Sequence, residues 1–190
     1  MKLIPHNHQF INESFFFPDW EVKHLFVGTF NPGGGESVNY YYGRQKNQTW
    51  NLLSKIFCCD FNPNSQDFFT LLKQKKIACV DMISQLRVSE DRSDRIIGKG
   101  YKDTEIINGS VKRSYNTEAI KEIIKKNKNI KVYTTWGNGP KLKEWRDETE
   151  KLGGGLIKLK SPSLAAAVPK GSIKFDYMLD DWREKITLRL

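Results

Sequence analysis

The sequence predicts an α/β domain: one three-layer unit with a central four-stranded parallel sheet and helices on both faces. Three observations carry this. Four short, mainly apolar runs read as buried strands. Between them lie amphipathic stretches at helical spacing, so strands and helices alternate along the chain. At 190 residues the chain suits one domain with a full core, 1–190, with 1–20 as an N-terminal arm packed on it.

In chain order, Asn12-Glu13-Ser14 reads as a turn, and Phe15-Phe16-Phe17-Pro18 with Trp20 as apolar anchors of the arm. The first strand is expected over about 22–28. Gly28-Thr29-Phe30-Asn31-Pro32-Gly33-Gly34-Gly35 breaks it, because this run cannot continue a strand and lets backbone approach a ligand closely. A helix over about 48–58 carries Trp50, Leu53 and Phe57 on one face. After Asn62-Pro63-Asn64, Ser65 is the expected N-cap of a second helix. Ile77-Ala78-Cys79-Val80 is the second strand, ending at Asp81, which either faces the pocket or caps a turn. Residues 98–116 show no periodicity and carry Lys99, Lys102, Lys112 and Arg113, so they read as a surface loop. Thr117 is the expected cap of a helix to about Asn127, with Ile120, Ile123 and Ile124 on its apolar stripe. The third strand is Ile130–Thr135. Trp136-Gly137-Asn138-Gly139-Pro140 leads into another helix, closed by Gly153-Gly154-Gly155. Leu156–Lys160 is the fourth strand, and a last helix from Ser172 buries Phe175, Leu179, Trp182 and Ile186.

Composition narrows the function. Lys and Arg number 31 against 22 Asp and Glu, and the net charge of +9 favours a polyanionic partner, nucleic acid ahead of membrane. No run approaches the ~20 apolar residues of a membrane span, and MKLIPHNHQF lacks a signal core, so a cytoplasmic protein is expected. The three cysteines form no four-ligand set, and Cys58-Cys59 cannot be a CxxC clip. His6-x-His8 reads as a surface pair. No metal and no cofactor are expected.

The chemistry concentrates in residues 25–50. The glycine turn has neither GxxxxGK[ST] nor GxGxxG spacing. It reads either as an ordinary turn flanked by packed tyrosines or as a nucleobase pocket, with aromatics to stack, amides for base edges and cations for phosphates.

The run Gly28-Thr29-Phe30-Asn31-Pro32-Gly33 resembles the first motif of the uracil-DNA glycosylase superfamily, G-x-N-P-G after the first strand. Tyr41-Tyr42-Gly43-Arg44-Gln45-Lys46-Asn47-Gln48-Thr49-Trp50 is similar to the YYAHPxNxFW run of its hypoxanthine and mismatch-specific uracil branches. The resemblance covers roughly 22–185. It implies that Tyr42 stacks on the base, that Asn47 and the Phe30 backbone meet its polar edge, and that Asn31 positions the attacking water. Asp81–Ile96 resembles a further family stretch more loosely. Ser161-Pro162-Ser163-Leu164 resembles the second motif, a minor-groove loop; Leu164 would be the wedge, with Ser161 and Ser163 on the flanking phosphates. The same segment also reads as a plain turn before the last helix. Arg44, Lys46, Lys160 and Lys170 complete the expected DNA face. Two departures stand out: one extra residue between Gly28 and Pro32, and Ser161 where fast enzymes carry His. The implied activity is that of a monomeric DNA glycosylase excising a deaminated base, uracil or hypoxanthine, from double-stranded DNA. The alternatives are an inactive nucleic-acid- or nucleotide-binding module of the same fold, or a different nucleotide-processing α/β enzyme.

Overall fold

The computed structural model describes residues 1–6, 18–32, 40–44, 46–97, 103–136 and 143–187. Phe15-Phe16-Phe17, Gly33-Gly34-Gly35, His8, Gln45, Lys99, Lys102 and the 137–140 turn lie outside these. The described strands are β1 (Lys2–Pro5), β2 (His24–Gly28), β3 (Ile77–Asp81), β4 (Ile83–Val88), β5 (Lys112–Tyr115), β6 (Lys131–Thr134) and β7 (Ile157–Lys158). The helices are α1 (Thr49–Phe57), α2 (Phe68–Gln74), α3 (Glu90–Ile97), α4 (Asp103–Ile106), α5 (Thr117–Lys126), α6 (Lys143–Glu150) and α7 (Lys174–Thr187).

The expected parallel sheet is present, in the order β3-β2-β6-β7. Residues of β2 alternate between its faces as a period of two requires. Phe26 packs with Leu52, Leu53, Phe61, Tyr133 and Trp182 beneath α1, α2 and α7. Leu25 and Val27 pack with Val80, Ile120, Ile123 and Val132 beneath α5. Two apolar layers on opposite faces make the three-layer architecture. Successive strands fall first on one side of β2 and then on the other, so the order reverses at β2. In an open α/β sheet that is where a crevice forms beyond the strands' carboxyl ends.

A second sheet, antiparallel and ordered β1-β4-β5, was not expected. The N-terminal arm supplies its edge, with Lys2 opposite Val88 and Ile4 opposite Leu86. Residues 98–116 are not simply a surface loop: α4 and β5 lie within them, and Ile106 and Val111 are buried. This sheet and α3 enclose a third core of Ile4, Phe30, Leu86, Val88, Ile96 and Trp145. The chain enters it directly from β3, where Met82 and Ile83 donate to the carbonyls of Gly28 (3.0 Å) and Thr29 (3.1 Å). The antiparallel layer therefore sits against the turn that leaves β2.

Element ends differ in detail. The second helix begins at Phe68 after Asp67; Ser65 Oγ accepts from Asp67 N at 3.2 Å instead of capping the helix. Asn116, not Thr117, is the N-cap of α5. The fourth strand shortens to two residues, but its exit is held firmly. Buried Asp181 on α7 accepts from Lys160 N at 2.8 Å, and Trp182 Nε1 donates to Lys160 O at 2.9 Å. On α7, Met178, Trp182 and Ile186 are fully buried, while Phe175 and Leu179 are half-buried against the same core.

His24, at the start of β2, gives the fold a pH dependence. It is buried with Nδ1 3.0 Å from Tyr133 Oη. Burial first, then Lys131 and Lys23, holds its pKa down at about 4. Between about pH 6.5 and pH 4 the unfolded chain is protonated there and the folded chain is not. Stability should therefore fall as pH drops through that window. At pH 5 the loss is about 2 kcal/mol, at ~1.4 kcal/mol per pH unit. Urea unfolding at pH 7.5 and pH 5 should show the parent losing about that much more than His24→Gln; equal losses would remove His24 as the cause.

Candidate active site

The carboxyl ends of β2 and β3 are level, with Gly28 opposite Asp81, and Thr135 follows the end of β6 beside them. The Asp81 carboxylate lies directly over Gly28. A Cβ there would sit 2.2 Å from Asp81 Oδ1, so only glycine lets the carboxylate close onto the strand end. Its other oxygen, Oδ2, is 2.6 Å from His6 Nε2, and both side chains are almost completely buried. His6 reaches this place because the chain after β1 bridges antiparallel to Pro32, while His6 N donates to Ser84 O at 3.1 Å. The His6 ring then meets Phe30 edge-on at 5.5 Å and Tyr41 at 5.7 Å. The expectation that His6 lies on the surface is thus overturned: pairing with the first-motif turn carries it inside. The Asp81 side chain covers Gly28, while its backbone oxygen accepts from Asn116 Nδ2 at 2.8 Å.

Tyr41 and Tyr42 close the next side. Tyr42 adopts φ 58°, a left-handed conformation uncommon outside glycine. Its hydroxyl approaches Gly28 and accepts a long 3.4 Å bond from Thr135 Oγ1. Burial above all pushes both phenols well above their ordinary pKa. Asp81 and then Cys79 add to this at Tyr41, in the reverse order at Tyr42, so both stay neutral at physiological pH. Trp50 anchors this loop from α1, donating Nε1 to Tyr41 O at 2.8 Å and meeting the Tyr42 ring edge-on at 6.4 Å.

The second loop is zipped to the first. Gln48 N donates to Pro162 O and Leu164 N to Lys46 O, both at 2.8 Å, around an antiparallel bridge between Asn47 and Ser163. The two stretches of family resemblance, more than a hundred residues apart in sequence, form one rim. Asn47 Oδ1 accepts from Thr49 N, the first residue of α1, at 2.9 Å in a side-chain turn, which leaves Nδ2 as the half of the amide suited to a base carbonyl. Ser163 Oγ accepts from Ala165 N at 3.2 Å, and Ser161 Oγ more distantly from Ser163 N at 3.4 Å. Leu164 is 38% exposed, and its carbonyl accepts from Lys174 Nζ at 2.7 Å. It is not a core residue under the last helix.

Asn31 is buried at the turn leaving β2, next to the residue that bridges His6. The Phe30 side chain is buried in the third core and does not offer a ring to a ligand. Lys46 and Lys170 are exposed and Arg44 is half-buried. Lys160 is less available than expected, with Nζ 3.6 Å from the centre of the Tyr177 ring and 3.8 Å from Asp181. An apolar cavity between the sheet, α1 and α2, walled by Trp20, Phe68 and Leu72, shares Tyr41, Trp50 and Cys79 with this site. With so few polar groups it has little to orient a ligand. His6 and Thr135 are the site residues that sequence reasoning missed; the Leu3-Ile4 pair ahead of His6 was the only local hint of a strand.

The architecture, a mixed α/β fold with a four-stranded parallel sheet flanked by helices, is shared with a solved structure. That is the solution NMR structure of "a putative Uracil DNA glycosylase from Methanosarcina acetivorans", matched with a TM-score of 0.51 over 87% of this chain and 92% of the other, at 18% identity. At that identity the likeness is one of fold. No family model matches the chain, and no curated protein matches its sequence. Among the described residues no helix is long and apolar enough to cross a membrane, and no three His, Cys, Asp or Glu side chains gather to hold a metal ion.

Proposed function

We propose that this chain is a monofunctional DNA glycosylase that excises a deaminated base, uracil or hypoxanthine, from duplex DNA by flipping it and hydrolysing its N-glycosidic bond. The observation that carries the reading is the zipped rim. It presents exposed Leu164 on the loop joined to residues 46–48, while Tyr42 and Asp81 close over Gly28 at the end of β2 and Asn31 is buried in the turn that follows. The fold shared with the archaeal structure agrees with it.

In this reading Leu164 enters the stack vacated by the extruded nucleotide, an apolar insertion of a recurring kind. Extrusion costs a few kcal/mol and so favours mismatched or damaged bases. Tyr42 stacks on the base, while Asn47 Nδ2 and the Phe30 backbone meet its polar edge. Asn31, buried at the turn, holds a water against C1′, a task that needs position more than basicity.

Exposed Lys46 and Lys170, with Arg44 and Lys112, supply phosphate contacts. Each neutralised phosphate adds about −0.9 to the log–log slope of affinity against salt, so three or four contacts give a slope near −3. Duplex binding measured across a salt series should show that slope; a flat titration would overturn DNA as the partner.

A further inference from the structure

We infer that the amino-terminal edge of the parallel sheet, opposite the candidate active site, is a second nucleic-acid surface that holds a phosphate backbone without reading its sequence. The inference does not rest on the glycosylase reading, because none of its residues belongs to that site.

The topology gathers lysines there from segments far apart in the chain. Parallel strands start at one edge, and Lys23, Lys76 and Lys131 stand at or just before the starts of β2, β3 and β6. Backbone bonds fix them side by side: Lys23 N donates to Lys76 O and Lys131 N to Lys23 O, both at 2.8 Å. The end of α5 packs onto the same edge, since Asn127 Oδ1 accepts from Val22 N at 2.7 Å. Lys125 and Lys128 flank that contact, and both are exposed, as is Lys23. β2 spans 5 residues, so this edge lies roughly 17 Å from the site at ~3.3 Å per residue.

The charge is not balanced locally. Glu21 is engaged by Lys76, and Glu118 on α5 by Lys121 at 2.9 Å. Among the described residues no acidic side chain forms an ion pair with Lys23, Lys125 or Lys128. Helix polarity favours cations in the last turn of α5. It does not account for lysines at the heads of three neighbouring strands, where like charges repel. Their field reaches the interior: after burial, Lys131 and then Lys23 hold the His24 pKa down.

Chemistry selects the partner. Protein interfaces are depleted in lysine and centre on apolar residues, and a membrane surface takes up an apolar face. The exposed large apolar residues Met1, Leu3, Phe69, Leu164 and Ile173 all lie outside these segments. Flexible ammonium groups without apolar anchors or guanidinium forks suit the regular charge of a duplex backbone. A duplex held at the carboxyl edge leaves this one open to a second segment, so the chain can bridge two.

The test measures affinity of the full chain for a short undamaged duplex across a salt series. Lys46→Gln/Lys112→Gln/Lys170→Gln first weakens the surface around the candidate site. Adding Lys23→Gln, Lys125→Gln and Lys128→Gln to that variant should lower affinity about tenfold or more and shrink the log–log slope by about 2–3, since each phosphate contributes about 0.9. The same charge change placed instead at exposed Lys2, Lys143 and Lys158 should cost much less. Equal affinity with and without the three added changes, or an equal loss in the control, overturns the inference. So does a loss confined to binding of phosphatidylserine vesicles, which would assign the edge to a membrane. Should the combined variant fail to fold, acetylation of the parent chain decides: bound duplex should protect Lys23, Lys125 and Lys128, and unchanged reactivity overturns the surface. Base release reports on the glycosylase reading separately. A parent that releases no base yet shows these losses refutes that reading and keeps this surface.

Discussion

Replacing Asn31 with alanine should reduce base release at least a hundredfold while leaving duplex affinity within a few-fold. Asn31 is buried at the turn leaving β2, and its proposed task is to hold a water against C1′. Misplacing a reacting group by about 1 Å can cost two decades of rate, and alanine places nothing at all. No phosphate contact is lost, so binding should hardly change. Removing a buried polar partner should also cost about 1–3 kcal/mol of stability, so thermal unfolding belongs beside the rate measurement. A folded Asn31→Ala with the parent's rate would take Asn31 out of the mechanism. The remaining candidate amide would then be Asn47, whose Oδ1 is already committed to Thr49 N.

Leu164→Ala should show the opposite pattern, a small change in stability with a large one in activity. The side chain is 38% exposed, and its backbone is held through N to Lys46 O and through O to Lys174 Nζ, bonds that alanine retains. Stability should shift by no more than about 0.5 kcal/mol, against the roughly 2–5 kcal/mol of a core leucine. Excision from a well-paired site should fall about tenfold or more, since each 1.4 kcal/mol of lost stabilisation is one decade. An unpaired target should suffer less because little stacking has to be replaced. Equal losses on paired and unpaired targets would show that Leu164 is not a wedge.

The parallel sheet was legible because strands buried on both faces are continuous apolar runs, and Leu25-Phe26-Val27 and Ile77-Ala78-Cys79-Val80 are too short and too sharply bounded for helices. The antiparallel sheet was not. β1 buries only Ile4, and β4 follows no clean alternation. β5 is the polar run Lys-Arg-Ser-Tyr. Arg113 there serves in place of an apolar anchor, its guanidinium donating to Ile106 O at 2.7 Å, Asn108 O at 3.1 Å and the Glu144 carboxylate. Pairing Lys2 with Val88 leaves no local trace in either segment. The site divides the same way. Asn31, Tyr42 and Leu164 came from short contiguous motifs, whereas His6 meets Asp81 across 75 residues. Its neighbour at His8 suggested a surface pair instead.

Release of free base from duplexes carrying uracil, hypoxanthine, xanthine or a mismatched thymine is the most direct test of the proposed function. The expected result is release of at least one deaminated base, with the strand intact until heated in alkali. Tight, salt-dependent binding of the same duplexes with no base released would contradict it and leave a binding module of this fold.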